Sequence, residues 1–273
     1  MLRFSYAGRS HPGLVRTNNE DAGFAGPTLQ LVADGVGGAA AGEVASATAA
    51  YVTSALALAS ASRPGTDLVE LLDRAARLTH EQLREGTAAD PSRTGMGTTL
   101  TALVTDGAHV ALGHVGDSRA YLLRDGELRQ LTHDQTLVQT FVDEGLITRD
   151  EARRHPRKNI VLQAVEAGYA PEADVALVDG RLGDRLLVCS DGLTDLVDDE
   201  QVRVCLQDPD ADVAAQCLVD AALAAGGVDN VTCVVSDVVD GPRLVPDGMQ
   251  LGAFSDPTLV VDPAGIHAGS NNH

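Results

Sequence analysis

The chain has 273 residues, of which 44% are hydrophobic and only 3% aromatic, and it contains no tryptophan. This length suffices for one large α/β domain or two small ones, with a core built mainly from Leu, Val and Ala. The formal net charge of −19 argues against a nucleic-acid-binding protein, which normally presents a basic face.

The four cysteines lie among aliphatic residues, and no two of them form a C-x-x-C pair. We therefore expect reduced core thiols rather than zinc ligands or disulfides, and hence a cytoplasmic protein. The N-terminal residues have no apolar signal-peptide segment, and no run of 18 apolar residues predicts a membrane span. The cysteines are Cys189, Cys205, Cys217 and Cys233.

The first third of the chain predicts a strand followed by two helices. A buried strand at 30–33 ends at Asp34, and the Gly-rich turn Gly35-Val36-Gly37-Gly38 follows it. Apolar residues at helical spacing then predict one helix after residue 44 and a second over about 67–84.

The middle of the chain predicts an antiparallel sheet. Asp106-Gly107 and Asp125-Gly126 separate β-rich runs, and Asp-Gly is the strongest short hairpin signal because the turn needs positive φ. The pattern argues against a doubly wound parallel sheet. The runs cover 98–105, 109–115, 119–124 and 127–131.

The last part predicts further helices and strands, and then a tail. Residues 241–273 are rich in Pro, Gly, Asp and Asn without periodicity, so we expect them to lie outside the core. The whole order favours packed antiparallel sheets with helices outside. The segments before the tail are a helical and then irregular stretch at 137–169, strands at 185–190 and 231–239, and helices at 200–206 and 212–225.

Four aspartates lie at predicted strand ends beside glycines: Asp34, Asp117, Asp191 and Asp229. Any one of them alone is explained by turn chemistry, but four such positions weaken that explanation. If they converge, two carboxylates 4 Å apart repel by about 4 kcal/mol at an effective dielectric of 20. They must then take up protons or bind cations, and oxygen ligands without His or Cys are typical of magnesium, manganese or calcium.

The motifs run in one order from Gly13 to Thr232 and together resemble the metal-dependent serine/threonine protein phosphatases of the type 2C family, in the bacterial form. They are Val15-Arg16-x-x-Asn19-Glu20-Asp21, Val32-Ala33-Asp34-Gly35, Gly97-Thr98-Thr99, Val115-Gly116-Asp117-Ser118-Arg119, Leu131-Thr132-x-Asp134, Ser190-Asp191-Gly192-Leu193 and Gly227-x-Asp229-Asn230-Val231-Thr232.

The resemblance implies a role for each matching acid. Asp34 bridges two catalytic metals, and the carbonyl of Gly35 completes the second site. Asp191 and Asp229 hold the first metal, and Asp117 joins Asp191 at a third metal.

The resemblance also implies roles for the residues around these acids. Glu20, Asp21 and Asn230 lie around the metals, with the two acids acting through metal-bound water. Arg16 clamps the substrate phosphate, a task that suits its planar fork. The alternative for Arg16 is a surface ion pair with Glu20.

The fold and activity implied by the family are an α-β-β-α sandwich of two antiparallel sheets and hydrolysis of phosphoserine and phosphothreonine by a metal-activated water. Residues 1–240 form the catalytic domain with a flap at about 145–170, and 241–273 form the tail. The implied cofactors are two or three Mn²⁺ or Mg²⁺ ions. The implied partners are phosphorylated proteins, the substrates of a cognate serine/threonine kinase, without nucleic acid or membrane.

Two departures from the family pattern bear on chemistry. The flap carries a basic run over 149–158 that could attract phosphorylated loops or be a solvated charge run. Val36 stands where many eukaryotic relatives carry a histidine acid, so we expect no essential histidine. His114, His133 and His155 have no ligand spacing and are expected to be structural or surface residues.

Two other functions match part of the sequence. Gly35-Val36-Gly37-Gly38-Ala39-Ala40 matches a dinucleotide-binding fingerprint, but no Asp or Glu lies between Val44 and Thr66 to bind a ribose, and the later strands are antiparallel. The second rival is a catalytically weak pseudophosphatase that binds phosphoproteins. The retained acids Asp34, Asp191 and Asp229 argue against it.

Overall fold

A computed structural model describes residues 1–36, 41–61, 66–242 and 247–261. In these residues two antiparallel sheets pack face to face, and helices cover both outer faces. The predicted α-β-β-α sandwich is therefore confirmed. Gly37 and Gly38 of the predicted Gly-rich turn lie outside the described residues.

The described residues form the following strands and helices, in chain order. The strands are β1 (Leu2–His11), β2 (Asp21–Ala25), β3 (Leu29–Val36), β4 (Gly97–Thr98), β5 (Leu100–Thr105), β6 (Val110–Val115), β7 (Arg119–Arg124), β8 (Glu127–Gln130), β9 (Val165–Glu166), β10 (Asp174–Val178), β11 (Arg185–Cys189), β12 (Val231–Asp240) and β13 (Met249–Gly252). The helices are α1 (Gly42–Ala61), α2 (Leu68–Ala89), α3 (Leu137–Asp143), α4 (Arg149–Arg153), α5 (Asp191–Thr194), α6 (Asp199–Leu206) and α7 (Ala211–Ala224).

The first sheet has the strand order β1-β12-β11-β7-β8, and the second has the order β10-β6-β5-β3-β2-β13. The short strands β4 and β9 extend the second sheet from the end of β3. Both Asp-Gly pairs form the predicted hairpins, β5–β6 and β7–β8. At the second hairpin Asp125 and Gly126 have φ of 53° and 83°, the left-handed conformation that this turn requires.

The core has three aliphatic layers. Side chains of both sheets, among them Phe4, Val32 and Leu186, fill the space between the sheets. Helices α1 and α2 cover the second sheet, and α5 and α7 pack on the first. No helix in the described part of the chain is long and apolar enough to span a bilayer.

Part of the predicted tail belongs to the fold. Strand β13 pairs with β2, and Leu251, Phe254 and Val261 are buried. The backbone N–H of Val261 donates a hydrogen bond to Thr48 Oγ1 of α1 at 3.0 Å. The prediction that 241–273 lies outside the core is therefore wrong for 249–261. A four-residue strand followed by single helical turns is too short to produce a periodic pattern in the sequence.

Two of the cysteines are not reduced. Cys205 of α6 and Cys217 of α7 form a disulfide, with Cα atoms 5.6 Å apart, so the prediction of reduced thiols is wrong for this pair. Their spacing of 12 residues matches no motif, and only the return of α7 along α6 brings them together. Cys189 and Cys233 are free and buried, and they face each other across β11 and β12.

Candidate metal centre

The predicted acids converge at one end of the sandwich. Asp34 lies near the end of β3, directly opposite Asp21 of β2. Asp117 follows β6, Asp191 follows β11, and Asp229 precedes β12. The charge of Asp191 raises the pKa of Asp34, so the two carboxyl groups are neighbours and the end of the second sheet meets the end of the first at this pair.

The carboxylates perturb one another strongly. Burial raises the pKa of Asp34 well above its ordinary value, and the charges of Asp21, Asp191 and Asp117 raise it further. Burial and then the charge of Asp191 likewise raise the pKa of Asp117 well above its ordinary value. The pKa of Asp191 is raised to about 6 and that of Asp21 to about 7, in both cases mainly by burial.

Asp34 and Asp191 are close neighbours, whereas Asp229 pairs with an arginine. Asp229 Oδ2 accepts a hydrogen bond from Arg16 Nη2 at 2.8 Å. In these positions no three or more Asp, Glu, His or Cys side chains of the described residues have the geometry of a metal site.

The donor set nevertheless fits a hard divalent cation. It consists of carboxylate oxygens, buried or half-buried, and their mutual repulsion raises their pKa values. A cation would replace the guanidinium of Arg16, which now pairs with Asp229. Oxygen-only sites of this kind select magnesium, manganese or calcium.

Asp34 is held in place by a threonine pair. Its backbone N–H donates to Thr99 Oγ1 at 2.9 Å, and its carbonyl accepts from Thr98 Oγ1 at 3.0 Å and from the Thr99 N–H at 2.9 Å. Thr99 Oγ1 also contacts Ser118 Oγ at 2.7 Å, beside Asp117. The pair therefore links two of the acids. The sequence motif contained both threonines, but it gave no role to either.

Asp21 is completely buried under the centre. Ser190 Oγ donates to its Oδ2 at 2.7 Å and in turn accepts from the Thr232 N–H at 3.0 Å. Its other oxygen, Oδ1, has no hydrogen-bond partner among the described residues. Asp21 thus keeps one acceptor free at the base of the cluster.

Glu20 and Asn230 connect the centre to the loop between β1 and β2. Asn230 Oδ1 accepts from the Glu20 N–H at 2.8 Å, and its Nδ2 donates to the carbonyls of Pro12 and Asn18 at 3.0 and 2.9 Å. The amide of Asn230 is therefore fully used in positioning this loop. Glu20 Oε1 accepts from Asn18 Nδ2 at 2.8 Å.

Two glycines allow the close approach of backbone at the centre. A Cβ on Gly35 would lie 2.5 Å from the backbone of Gly42 and 2.7 Å from the carbonyl oxygen of Glu20. A Cβ on Gly192 would lie 1.9 Å from the carbonyl oxygen of Asn230. Larger residues at either position would push apart the segments that carry the acids.

Arg16 pairs with Asp229 and not with Glu20, the partner considered in the surface alternative. The hydrogen bond and the charge of Asp229 raise the pKa of Arg16. The Arg16 side chain is 50% exposed. Its guanidinium thus contacts one acid of the cluster and is also accessible to a ligand.

Sequence reasoning missed Asp195, and it placed Lys158 only in the basic run of the flap. The charge of Asp195 contributes to the raised pKa of Asp191 and of Asp117, and Lys158 Nζ of the flap lies 2.6 Å from Asp195 Oδ2. Asp195 follows Asp191 by four residues, a helical spacing that places both acids on one face. That spacing was the available signal.

Three predicted structural histidines lie away from the acids. His114 is buried, with Nδ1 2.9 Å from Thr101 Oγ1 and Nε2 3.1 Å from the His133 carbonyl. His133 Nε2 pairs with Asp143 at 2.8 Å, and His155 packs edge-on against Phe141. Each of them has a structural partner.

Comparison with known proteins identifies the relatives of this chain. The family model described as protein phosphatase 2C matches residues 8–225. The serine/threonine protein phosphatase PstP of Mycobacterium tuberculosis is 49% identical over 239 residues, covering 88% of this chain and 46% of that protein. The chain thus spans about half the length of this relative. The serine/threonine phosphatase stp of Listeria monocytogenes is 34% identical over 234 residues, covering 83% of this chain and 93% of that protein.

Solved structures give the same picture. The catalytic domain of PstP in complex with two manganese ions superposes with a TM-score of 0.80 and 46% identity, covering 88% of this chain and 100% of that one. The phosphatase MsPP from Mycobacterium smegmatis in complex with cacodylate gives a TM-score of 0.76 and 39% identity, covering 85% of this chain and 97% of that one.

The raised pKa values predict how stability depends on pH when divalent cations are removed by chelator. The folded protein keeps protons on Asp21 and Asp191 up to about pH 7 and 6, whereas the unfolded chain releases them near pH 4. The stability that these protons supply is complete below about pH 4 and is lost as pH rises through 6 to 7. In chelator, the urea midpoint should therefore be lower at pH 8 than at pH 5.5.

Asp34→Asn should flatten this dependence, because it removes a carboxyl group whose own pKa is raised by burial and by the neighbouring acids. Asp220→Asn, on the exposed face of α7, is the matched control and should keep the wild-type slope. A midpoint that stays constant or rises between pH 5.5 and 8 would contradict the charge coupling.

Proposed function

Because the chain belongs to the protein phosphatase 2C family, we propose that it is a serine/threonine protein phosphatase that hydrolyses phosphoserine and phosphothreonine in proteins. The observation that carries the proposal is the convergence of Asp34 and Asp191 with Asp21 and Asp117, whose pKa values are all raised. Such a cluster is stable at neutral pH only when cations or protons compensate it.

The proposed cofactors are two or three Mn²⁺ or Mg²⁺ ions. Asp34 would hold two of them, together with the Gly35 carbonyl at the second and with Asp191 and Asp229 at the first. Asp117 and Asp191 would hold the third. When bound, such ions supply positive charge that acidifies water and stabilises the negative charge that develops on the phosphoryl group.

The side chains around the acids have complementary tasks. Arg16 binds two oxygens of the substrate phosphate. To do so it leaves Asp229, so substrate binding also frees a carboxylate of the metal centre. Asp21 lies beneath the cluster, and its unpartnered Oδ1 would accept a hydrogen bond from water bound to the cations. Glu20 and Asn230 hold the loop that carries Arg16.

No histidine acts as the acid that protonates the leaving oxygen in this proposal. Val36 occupies the position after Asp34-Gly35 and has no proton to donate. The three histidines considered above already have structural partners. Mutation of His114, His133 or His155 is therefore compatible with chemistry as long as the fold survives.

The proposed substrates are phosphorylated proteins, the products of a cognate serine/threonine kinase. The catalytic domain consists of residues 1–240 together with the segment 247–261, and the flap lies at about 145–170. The retention of Asp34, Asp117, Asp191 and Asp229 disfavours a pseudophosphatase, because the loss of such an acid is the simplest way to lose turnover.

The experiment that tests this function is an assay with nitrophenyl phosphate and phosphopeptides after chelation. Activity should be absent in chelator and should return with manganese or magnesium. Asp34→Asn should lower kcat more than tenfold, equivalent to about 1.4 kcal/mol, because the bridging carboxylate serves two ions. Asp220→Asn should be unaffected. Full activity in chelator, or an Asp34→Asn enzyme with more than a tenth of wild-type kcat, would refute the metal mechanism.

Arg16→Ala separates phosphate binding from metal binding. We expect a raised KM for phosphopeptides, because the bidentate contact is lost, and a manganese affinity close to that of the wild type. Isothermal calorimetry of manganese binding is the readout. A large loss of metal affinity would mean that Arg16 organises the acids instead of binding substrate.

A further inference from the structure

A cavity of about 540 Å³ extends away from the metal centre beneath the flap. It is lined by Asp117 and Asp191 of the metal centre, by β8, and by α3 and α4. This volume is in the range of sites that enclose whole small-molecule ligands, and it exceeds what one phosphate needs. The cavity therefore has room for substrate beyond the group that is hydrolysed.

Most charges on its walls are already neutralised in pairs. Arg119 makes a bidentate contact with Asp134, with distances of 2.6 to 3.0 Å. Arg153 pairs with Asp199 at 3.2 Å, and Lys158 pairs with Asp195 at 2.6 Å.

Two arginines of the cavity wall have no such partner among the described residues. Arg129 of β8 and Arg149 of α4 line the cavity, and neither has an ion pair or a side-chain hydrogen bond among the described residues. The charge of Arg149 contributes to the lowered pKa of Asp143, but the two side chains are not bonded: the carboxylate oxygens of Asp143 accept hydrogen bonds from Gln139 and His133.

The unpaired acids and the unpaired arginines belong to different parts of the lining. Asp117 and Asp191 belong to the metal centre, whereas Arg129 lies on β8 and Arg149 on α4. Once cations neutralise the acids, as the proposed function requires, the remaining unpaired charge of the cavity is positive. A ligand complementary to these charges has its phosphate at the cations held by the acids and a second anionic group at the arginines.

We propose that this cavity is an accessory subsite in which Arg129 and Arg149 bind an anionic group of the same substrate chain, a carboxylate or a second phosphate near the phosphorylated residue. The inference rests on the proposed function and refines its substrate class to phosphopeptides with a second negative charge. Arginine is suited to both anions because its fork binds the two oxygens of either group. Because the two side chains are exposed, the contribution per contact is modest and sensitive to salt.

The test is a phosphothreonine peptide with alanine flanks, in which glutamate is placed in turn at each of the four positions on either side. A parallel set carries a non-hydrolysable phosphonate in place of glutamate, which distinguishes a carboxylate from a second phosphate. At one or two positions the anionic peptide should have a kcat/KM about tenfold above the alanine peptide at low salt. The advantage should shrink at high salt.

The double variant Arg129→Gln/Arg149→Gln should lose this advantage, and its rate on nitrophenyl phosphate and on the alanine peptide should stay within about twofold of wild type. Arg129→Lys/Arg149→Lys should restore part of it, which excludes a folding defect. Arg84→Gln, on the exposed face of α2 over the other sheet, is the matched control and should behave as wild type.

The subsite is refuted if no position of the scan favours an anion, or if the advantage persists in the double glutamine variant. An enzyme that hydrolyses nitrophenyl phosphate and the alanine peptide while failing this scan refutes the subsite alone. An enzyme that hydrolyses none of these substrates with manganese refutes the proposed function, and the subsite with it.

Discussion

The repulsion among carboxylates at one end of the sandwich is the constraint on which the rest of the site depends. Burial and then the charges of neighbouring acids raise the pKa values of Asp34, Asp117, Asp191 and Asp21. The fold holds these residues there with ordinary hydrogen bonds, which contribute about 1 kcal/mol each. Such bonds cannot outweigh several unscreened repulsions of about 4 kcal/mol. The cluster therefore needs positive charge, from protons, from the arginine on Asp229 or from divalent cations.

The architecture explains why these acids meet. The two sheets pack face to face, so the ends of β3 and β11 approach each other although 157 residues separate Asp34 from Asp191. The remaining contacts at this end fix the connecting segments. Thr99 joins the Asp34 strand to the turn after β6, and Asn230 joins the start of β12 to the loop of Arg16. The glycines at the acids let these segments approach within van der Waals distance.

Much of this organisation could be predicted from the sequence. The Asp-Gly pairs predicted the two hairpins. The ordered motifs predicted the sandwich fold and the aspartates of the metal centre. The rest depends on long-range pairing that leaves no local pattern. The packing of 249–261, the Cys205–Cys217 disulfide and the pairing of Arg16 with Asp229 all join segments distant in sequence or too short to be periodic. Asn230 was expected around the metals, but its amide is used by the neighbouring loop.

Direct binding of divalent cations by the cluster is tested most directly by anomalous diffraction at the manganese edge from crystals of the protein grown with manganese. We expect at least two peaks at coordination distance, roughly 2.0–2.6 Å, from carboxylate oxygens. One of these oxygens belongs to Asp34, between the two peaks, and the others belong to Asp191 and Asp229. Crystals that bind manganese elsewhere and show no peak at Asp34 would contradict direct binding by the cluster.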